Sequence, residues 1–145
     1  MMENFTYSLP IQARWNDLDP LGHVNNGIYI SYFELGRGRF MLEASKTWRW
    51  DKHMFLIGNV TANFHKELKL QDINPTVWCR TKTIGNKSFV VEYLVTSDAK
   101  DGSKVIHASG ETTQILFDMF AKKTIAIEPW LRDELTAYEK AGTIK

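Results

Sequence analysis

The segment from Gly27 to Ala44 constrains the fold more than any other part of the chain. Tyr29, Phe33, Gly36 and Phe40 fall at i, i+4, i+7 and i+11, which is one face of a helix, and Ile28, Tyr32 and Leu35 form a second stripe beside it. A helix with two apolar stripes is stable only when most of its surface is covered. Gly36 and Gly38 work against the helix, at about 1 kcal/mol each relative to alanine. Their presence predicts that another backbone comes close at these positions. The rest of the chain must therefore wrap this helix.

The sequence on either side supplies strands. Phe5 to Trp15 reads as strand-like, with Pro10 demoting part of it to an edge. Lys46 to Ile57 reads as a short helix or an irregular connection, with Trp48, Trp50 and Phe55 packing together or lining a pocket. From Gly58 the period changes to two: Val60, Ala62, Phe64 and Leu68 alternate with Thr61, Asn63, His65 and Glu67. Asn74-Pro75 reads as a turn, and Thr76 to Ile84 as a second strand of this run. Gly85-Asn86 marks a hairpin into Ser88 to Thr96, with Phe89, Val91, Tyr93 and Val95 on one face. Asp101-Gly102 marks a second hairpin, into Lys104 to Phe117. A turn over Asp118 to Lys122 leads to a short strand, Lys123 to Ile127. Pro129 opens a last helix, with Leu131, Leu135 and Tyr138 on its apolar face. Hairpins force antiparallel pairing. The economical solution is α+β: one antiparallel sheet around one long helix, with a short C-terminal helix.

Composition sets the outer limits. The chain has 145 residues, 43% hydrophobic and 24% charged, which predicts a packed core in one domain over residues 1–145. A net charge of +1 gives no electrostatic case for nucleic acid or an acidic membrane as partner. Cys79 is the only cysteine, which excludes an internal disulfide and fits a reducing compartment. Met1-Met2-Glu3-Asn4 carries no basic segment leading into an apolar run, and no apolar run approaches the ~20 residues of a membrane span. The expected location is the cytoplasm.

Chemistry concentrates just before the helix. Asn16-Asp17-Leu18-Asp19-Pro20-Leu21-Gly22-His23-Val24-Asn25-Asn26 gathers carboxylates, an imidazole and carboxamides, and Pro20 and Gly22 make it a turn. A helix start offers free N–H groups and partial positive charge. Asp19 there can cap the helix, or it can act as a base or nucleophile beside a polarised carbonyl. Asp17 alternates with Asp19 in extended chain and reads as structural. His23 can orient a substrate or water, or bond to neighbouring backbone. Asn25 and Asn26 suit capping and turns as well as catalysis. The chain has no GxGxxG, phosphate loop or GxSxG. His23, His53, His65 and His107 lack metal-ligand spacing, so no metal is expected.

Taken whole, Asp-Pro-x-Gly-His-Val-Asn-Asn followed by x-x-Tyr and an aromatic helix resembles the hotdog-fold acyl-CoA thioesterases of the 4-hydroxybenzoyl-CoA thioesterase superfamily. His-Val-Asn-Asn is also similar to the long-chain acyl-CoA and acyl-ACP thioesterase branches. The resemblance extends over nearly the whole chain, through Lys69-Leu70-Gln71-Asp72 and Gly85-Asn86-Lys87-Ser88. It implies a hotdog fold: a five- or six-stranded antiparallel sheet around one long helix, assembled as a homodimer or a dimer of dimers. It implies hydrolysis of an acyl-CoA, or an acyl-ACP, without a cofactor. Asp19 matches the essential acid and His23 the histidine of the acyl-ACP branch, while Leu21 stands where that branch has an asparagine. Asn26 matches the helix-start position whose N–H polarises the thioester carbonyl, with Asn25 beside it as a substrate contact. Lys87 and Ser88 match a hairpin that meets the CoA nucleotide from the partner subunit. A second branch uses a helical glutamate, for which Glu34 and Glu43 are the candidates on this helix. The other readings are a non-catalytic acyl-CoA-binding protein and a hydratase or dehydratase of the same fold.

Overall fold

Helix α1 forms over Asn26–Ala44, and Tyr29, Tyr32, Phe33, Gly36, Phe40 and Met41 are buried along it. The structure is a computed structural model and describes residues 2–144. Asn25 caps α1: its side chain accepts a hydrogen bond from Gly27 N at 3.0 Å. Six strands surround the helix: β1 (Tyr7–Pro10), β2 (Met54–Phe64), β3 (Ile73–Ile84), β4 (Ser88–Asp98), β5 (Lys104–Asp118) and β6 (Lys123–Thr124). They form one sheet in the order β1-β3-β4-β5-β2, with β6 paired to the end of β5, and every pairing is antiparallel. Helix α2 (Pro129–Ile144) closes the chain. Among the described residues no helix is long and apolar enough to cross a membrane.

The helix lies against the sheet through its first stripe. A Cβ on Gly36 would stand 2.9 Å from Cys79 Sγ and 2.9 Å from Val77 Cγ1, so the glycine lets α1 press onto β3. Phe33 stacks on Tyr93 of β4 with ring centroids 4.6 Å apart, and Gly110 of β5 leaves room for its edge. The close approach expected at Gly38 does not occur: a Cβ there meets nothing within 4 Å. Its carbonyl instead accepts Trp50 Nε1–H at 3.1 Å. The second stripe is only half covered, with Tyr32 buried and Leu35 51% exposed.

Several boundaries differ from the sequence expectation. The N-terminal strand is only Tyr7–Pro10; the chain then turns through a 3-10 segment at Trp15–Asp17. The 46–57 stretch holds no helix, and its end is already strand, since β2 begins at Met54. Gly58 hides that period because the register shifts between Ile57 and Asn59, so one alternation breaks into two. Leu68 is buried but lies beyond β2, in a loop. Asn74-Pro75 is not a turn: β3 runs through it with a register shift and Asn74 at φ 53°. The strand expected over Lys123 to Ile127 ends at Thr124.

Gly36→Ala and Gly38→Ala separate packing from propensity on one helix. Gly36→Ala overpacks the contact with β3 and is expected to cost about 1–3 kcal/mol. Gly38→Ala meets open space and is expected to stabilise by up to about 1 kcal/mol. Urea midpoints of the two variants read this directly.

Candidate active site

The loop before α1 is a small closed structure. Leu18 and Val24 bridge as an antiparallel pair. Between them Asp19 N donates to His23 O at 2.7 Å, and Gly22 N donates to Asp19 O at 3.0 Å. Gly22 takes φ +80°, a left-handed conformation that favours glycine. Asp19 Oδ1 accepts Leu21 N at 2.9 Å and His23 N at 3.1 Å. One carboxylate oxygen thus shapes the turn, while Oδ2 makes no bond to a described residue. Asp19 does not cap α1; that role belongs to Asn25.

Asp17 fixes this loop to the helix. Its carboxylate is 1% exposed and takes four bonds. Arg14 N and Arg14 Nη2 donate at 2.9 and 3.0 Å, Arg14 Nε at 3.2 Å, and the Tyr32 hydroxyl at 2.9 Å. Its carbonyl accepts Asn25 N at 2.8 Å, which sets the cap residue in place. Burial pushes the Asp17 carboxyl up, but the Arg14 and Tyr32 donors outweigh it and hold the group below its ordinary value.

Asp19, His23 and Asn26 line one cavity of about 250 Å³, together with Tyr29, Phe64 and residues 65–67. Asn26 is the first residue of α1, and its N–H has no acceptor among the described residues. A carboxylate oxygen, an imidazole and the open start of a helix therefore face the same space. Such a set can take a proton from water and stabilise an oxyanion.

The other expected residues lie elsewhere. Asn25 does not line the cavity; its side-chain oxygen is spent on the cap. Lys87 and Ser88 sit at the β3–β4 hairpin, where Lys87 O accepts Leu116 N and Ser88 O accepts Gly85 N. They do not line the cavity within one chain. Neither do Glu34 and Glu43, which are exposed on α1.

His65 and Glu67 are brought to the cavity without a local sequence signal. Val24 N donates to Leu68 O and Leu68 N to the Tyr29 hydroxyl, so the 65–68 loop is tied to the Asp19 loop across the fold. His65 Nε2 bonds with Ser109 Oγ at 2.8 Å. Glu67's own backbone holds its carboxyl below the usual carboxylate range; the nearby charges of His23 and Lys69 add to this, against a raising effect of burial. Among the described residues no group of three His, Cys, Asp or Glu side chains is placed to hold a metal ion.

Comparison with known proteins places this geometry in context. The sequence profile of the Thioesterase-like superfamily matches residues 13–135. The chain is 27% identical over 128 residues to the long-chain acyl-CoA thioesterase FadM of Escherichia coli (strain K12), covering 86% of this chain and 93% of that one. It superposes on a thioesterase from Thermus thermophilus complexed with coenzyme A and Zn, with a TM-score of 0.81 and 29% identity over 96% of this chain and 98% of that one. It also shares the fold of a mutant 4-hydroxybenzoyl CoA thioesterase complexed with 4-hydroxybenzoyl CoA, at a TM-score of 0.80 and 14% identity, covering 89% of this chain and 97% of that one. The architecture is that of the hotdog thioesterase structures, here with six strands.

The Asp17 bonds give a stability signature. A carboxyl held below its ordinary value contributes fully above about pH 4, and the contribution is lost as the pH falls through the folded value. Asp17→Asn is expected to cost about 2 kcal/mol at neutral pH, the range for bonds to a charged group. Urea unfolding at successively lower pH should show the gap between wild type and variant closing as wild type loses stability.

Proposed function

The chain belongs to the thioesterase-like superfamily and is a thioester hydrolase, and from that premise we propose that its substrate is an acyl-CoA, cleaved at the Asp19 cavity. The observation that carries this reading is the meeting of an uncommitted Asp19 oxygen and an unspent Asn26 N–H in one space. The thioester carbonyl oxygen sits at the start of α1. The Asn26 N–H and the helix dipole stabilise the charge that develops on it. Asp19 Oδ2 either takes a proton from the attacking water or attacks the carbonyl carbon itself, giving a mixed anhydride that water then opens. In both routes the C–S bond breaks and the thiol leaves with a proton. His23, whose N–H is held by Asp19, stands where it can position the water or the carboxylate.

The relatives support the acyl-CoA assignment: one is named a long-chain acyl-CoA thioesterase and another binds coenzyme A. The reaction needs no cofactor on this reading. The lone, buried Cys79 fits a reducing compartment, and we place the reaction in the cytoplasm.

The site is proposed to be completed by a second copy of the chain. β2 is one of the two outer strands of the sheet, with no strand partner on its free edge among the described residues. Ile57, Val60 and Phe64 on it are exposed. Pairing β2 with its copy covers them. On the family resemblance, the hairpin at Lys87 and Ser88 of the second copy then meets the CoA nucleotide, and Asn25 contacts the substrate.

Thiol release from a panel of acyl-CoA and acyl-ACP substrates tests the assignment. Wild type should turn over at least one acyl-CoA, and a protein that binds the panel without releasing thiol is a binding protein instead. Asp19→Asn should lose at least ~10²-fold in kcat, the lower range for an acid–base group. His23→Ala should lose less.

Subunit sharing has its own measurement. Asp19→Asn and Lys87→Glu are first shown to be nearly inactive alone, then unfolded and refolded together in equal amounts. Random pairing makes about half the dimers mixed. If the site is shared, each mixed dimer holds one intact site, and about a quarter of wild-type activity returns. Verified mixed dimers without activity place each site within one chain.

A further inference from the structure

The Asp19 cavity is polar on most of its wall, which Asp19, His23, Asn26, Lys66 and Glu67 border. Three apolar side chains, Val24, Tyr29 and Phe64, border it as well. They differ in what they can offer a ligand. Val24 is 3% exposed and Tyr29 2%, whereas Phe64 is 46% exposed. An apolar group entering this space therefore finds its surface on Phe64. The charged side chains suit it poorly, because contact with them strips water from charge without a hydrogen bond in return.

Phe64 is held in place by several contacts. It is the last residue of β2 and pairs in register with Ala108 of β5. The next residue, His65, donates its N–H to His107 O at 2.9 Å. The Phe64 ring rests on the Tyr29 ring, with centroids 5.5 Å apart and planes tilted by 50°. Tyr29 is itself fixed: its hydroxyl accepts Leu68 N at 3.3 Å, and its ring meets Tyr32 edge-on at 6.1 Å. Tyr29 follows Asn26 by three residues on α1, so both lie on one face of the helix, about 4.5 Å apart along its axis. The Phe64 ring thus packs on the helix within about one turn of the Asn26 N–H.

We propose that Phe64 is the specificity-determining residue of this site: its ring takes the first carbons of an apolar, straight-chain acyl group and so selects such a group over acetyl. This rests on the acyl-CoA reading above, in which the thioester carbonyl oxygen sits at the Asn26 N–H. The acyl carbons then begin within a turn of the helix from Tyr29, and the free face of the Phe64 ring is the apolar surface in reach. Because Tyr29 already backs the ring, little side-chain freedom is lost when the acyl group covers it. Each CH₂ that the ring covers is worth about fourfold in kcat/KM. The role is selection and not chemistry, since a phenyl ring carries no proton to transfer.

The test is kcat/KM of the full-length protein for acetyl-, hexanoyl- and dodecanoyl-CoA, read by thiol release. Wild type should prefer the two longer substrates over acetyl-CoA by at least about tenfold. Phe64→Ala should lower that preference by about tenfold. Phe64→Leu, which restores an apolar side chain, should recover most of it. A residue that merely supports the fold would lower all three substrates alike and leave the preference where it was. Phe64→Gln keeps the reach and loses the apolar surface, and it takes the place of Phe64→Ala should that variant fail to fold. An unchanged preference in folded Phe64→Ala or Phe64→Gln overturns the proposal, as does a wild type without preference for the longer acyl groups. Both results leave the acyl-CoA reading standing. A wild type that releases thiol from none of the three overturns the proposal too, and the wider panel of acyl-CoA and acyl-ACP substrates then decides the acyl-CoA reading separately.

Discussion

At Gly36 the backbone of α1 lies so close to β3 that one methyl group would stand 2.9 Å from both Cys79 Sγ and Val77 Cγ1. This contact sets the height of the helix over the sheet, and the neighbouring residues follow from it. Arg37, next in sequence, is carried into the interior with its guanidinium. No carboxylate of the described residues lies within 4 Å of it. A buried charge without hydrogen bonds would be severely unfavourable. The structure answers with a one-way chain: Arg37 Nη1 donates to the Tyr93 hydroxyl at 3.2 Å, Tyr93 to Thr112, Thr112 to Gln114, and Gln114 Nε2 to Phe89 O at 3.0 Å. Each hydroxyl both accepts and donates, and the chain ends on a backbone carbonyl. Burial pushes the Tyr93 phenol up to about 12 although Arg37 pulls it down, so it stays a neutral donor at ordinary pH.

The same helix position governs the loop that carries Asp19. With Gly36 seated, Tyr32 and Tyr29 lie one turn or two nearer the start of α1, and each hydroxyl holds a different segment. Tyr32 reaches Asp17, while Tyr29 receives Leu68 N. The loop carrying Asp19 and the loop carrying His65 and Glu67 are thereby referred to one rigid element. Two carboxylates two residues apart divide the work by environment. Asp17 is buried and all its carboxylate bonds come from Arg14 and Tyr32. Asp19 keeps one oxygen uncommitted over an open cavity.

This division was legible in the sequence because its parts are local. The alternation of Asp17 and Asp19, the Pro20-x-Gly22 turn and the asparagines at the helix start all act within eleven residues of chain. The helix stripe and the hairpins at Gly85-Asn86 and Asp101-Gly102 were equally local. Legibility failed where a distant segment decides. His65 and Glu67 reach the cavity only through the Val24–Leu68 bond. The start of β2 was hidden because the shift at Gly58 changes which residues face inward. Asn74-Pro75 carries turn residues, yet β4 pairs with the strand on both sides of them, and the sheet absorbs them as an irregularity. Gly38 has the same weak helix propensity as Gly36, and only the position of β3 makes one of them a contact.

The exposed apolar side chains of β2 have a consequence for the proposed reaction. An acyl thioester brings an apolar tail that needs a surface continuous with the proposed catalytic cavity. Phe64 lines that cavity and is 46% exposed. Val60 and Ile57 lie further along β2, opposite the buried Thr112 and Gln114, and so share the inward face with Phe64. Ile30 is exposed on α1. Phe64, Val60 and Ile57 thus share one face, Phe64 at the Asp19 cavity, and within one chain water reaches all three. Water along the tail would oppose binding of a long acyl group, since apolar burial contributes about 0.8 kcal/mol per CH₂. The second copy proposed across the free edge of β2 would cover this face and dry it. On this reading assembly and acyl recognition are one requirement, met by the same exposed residues.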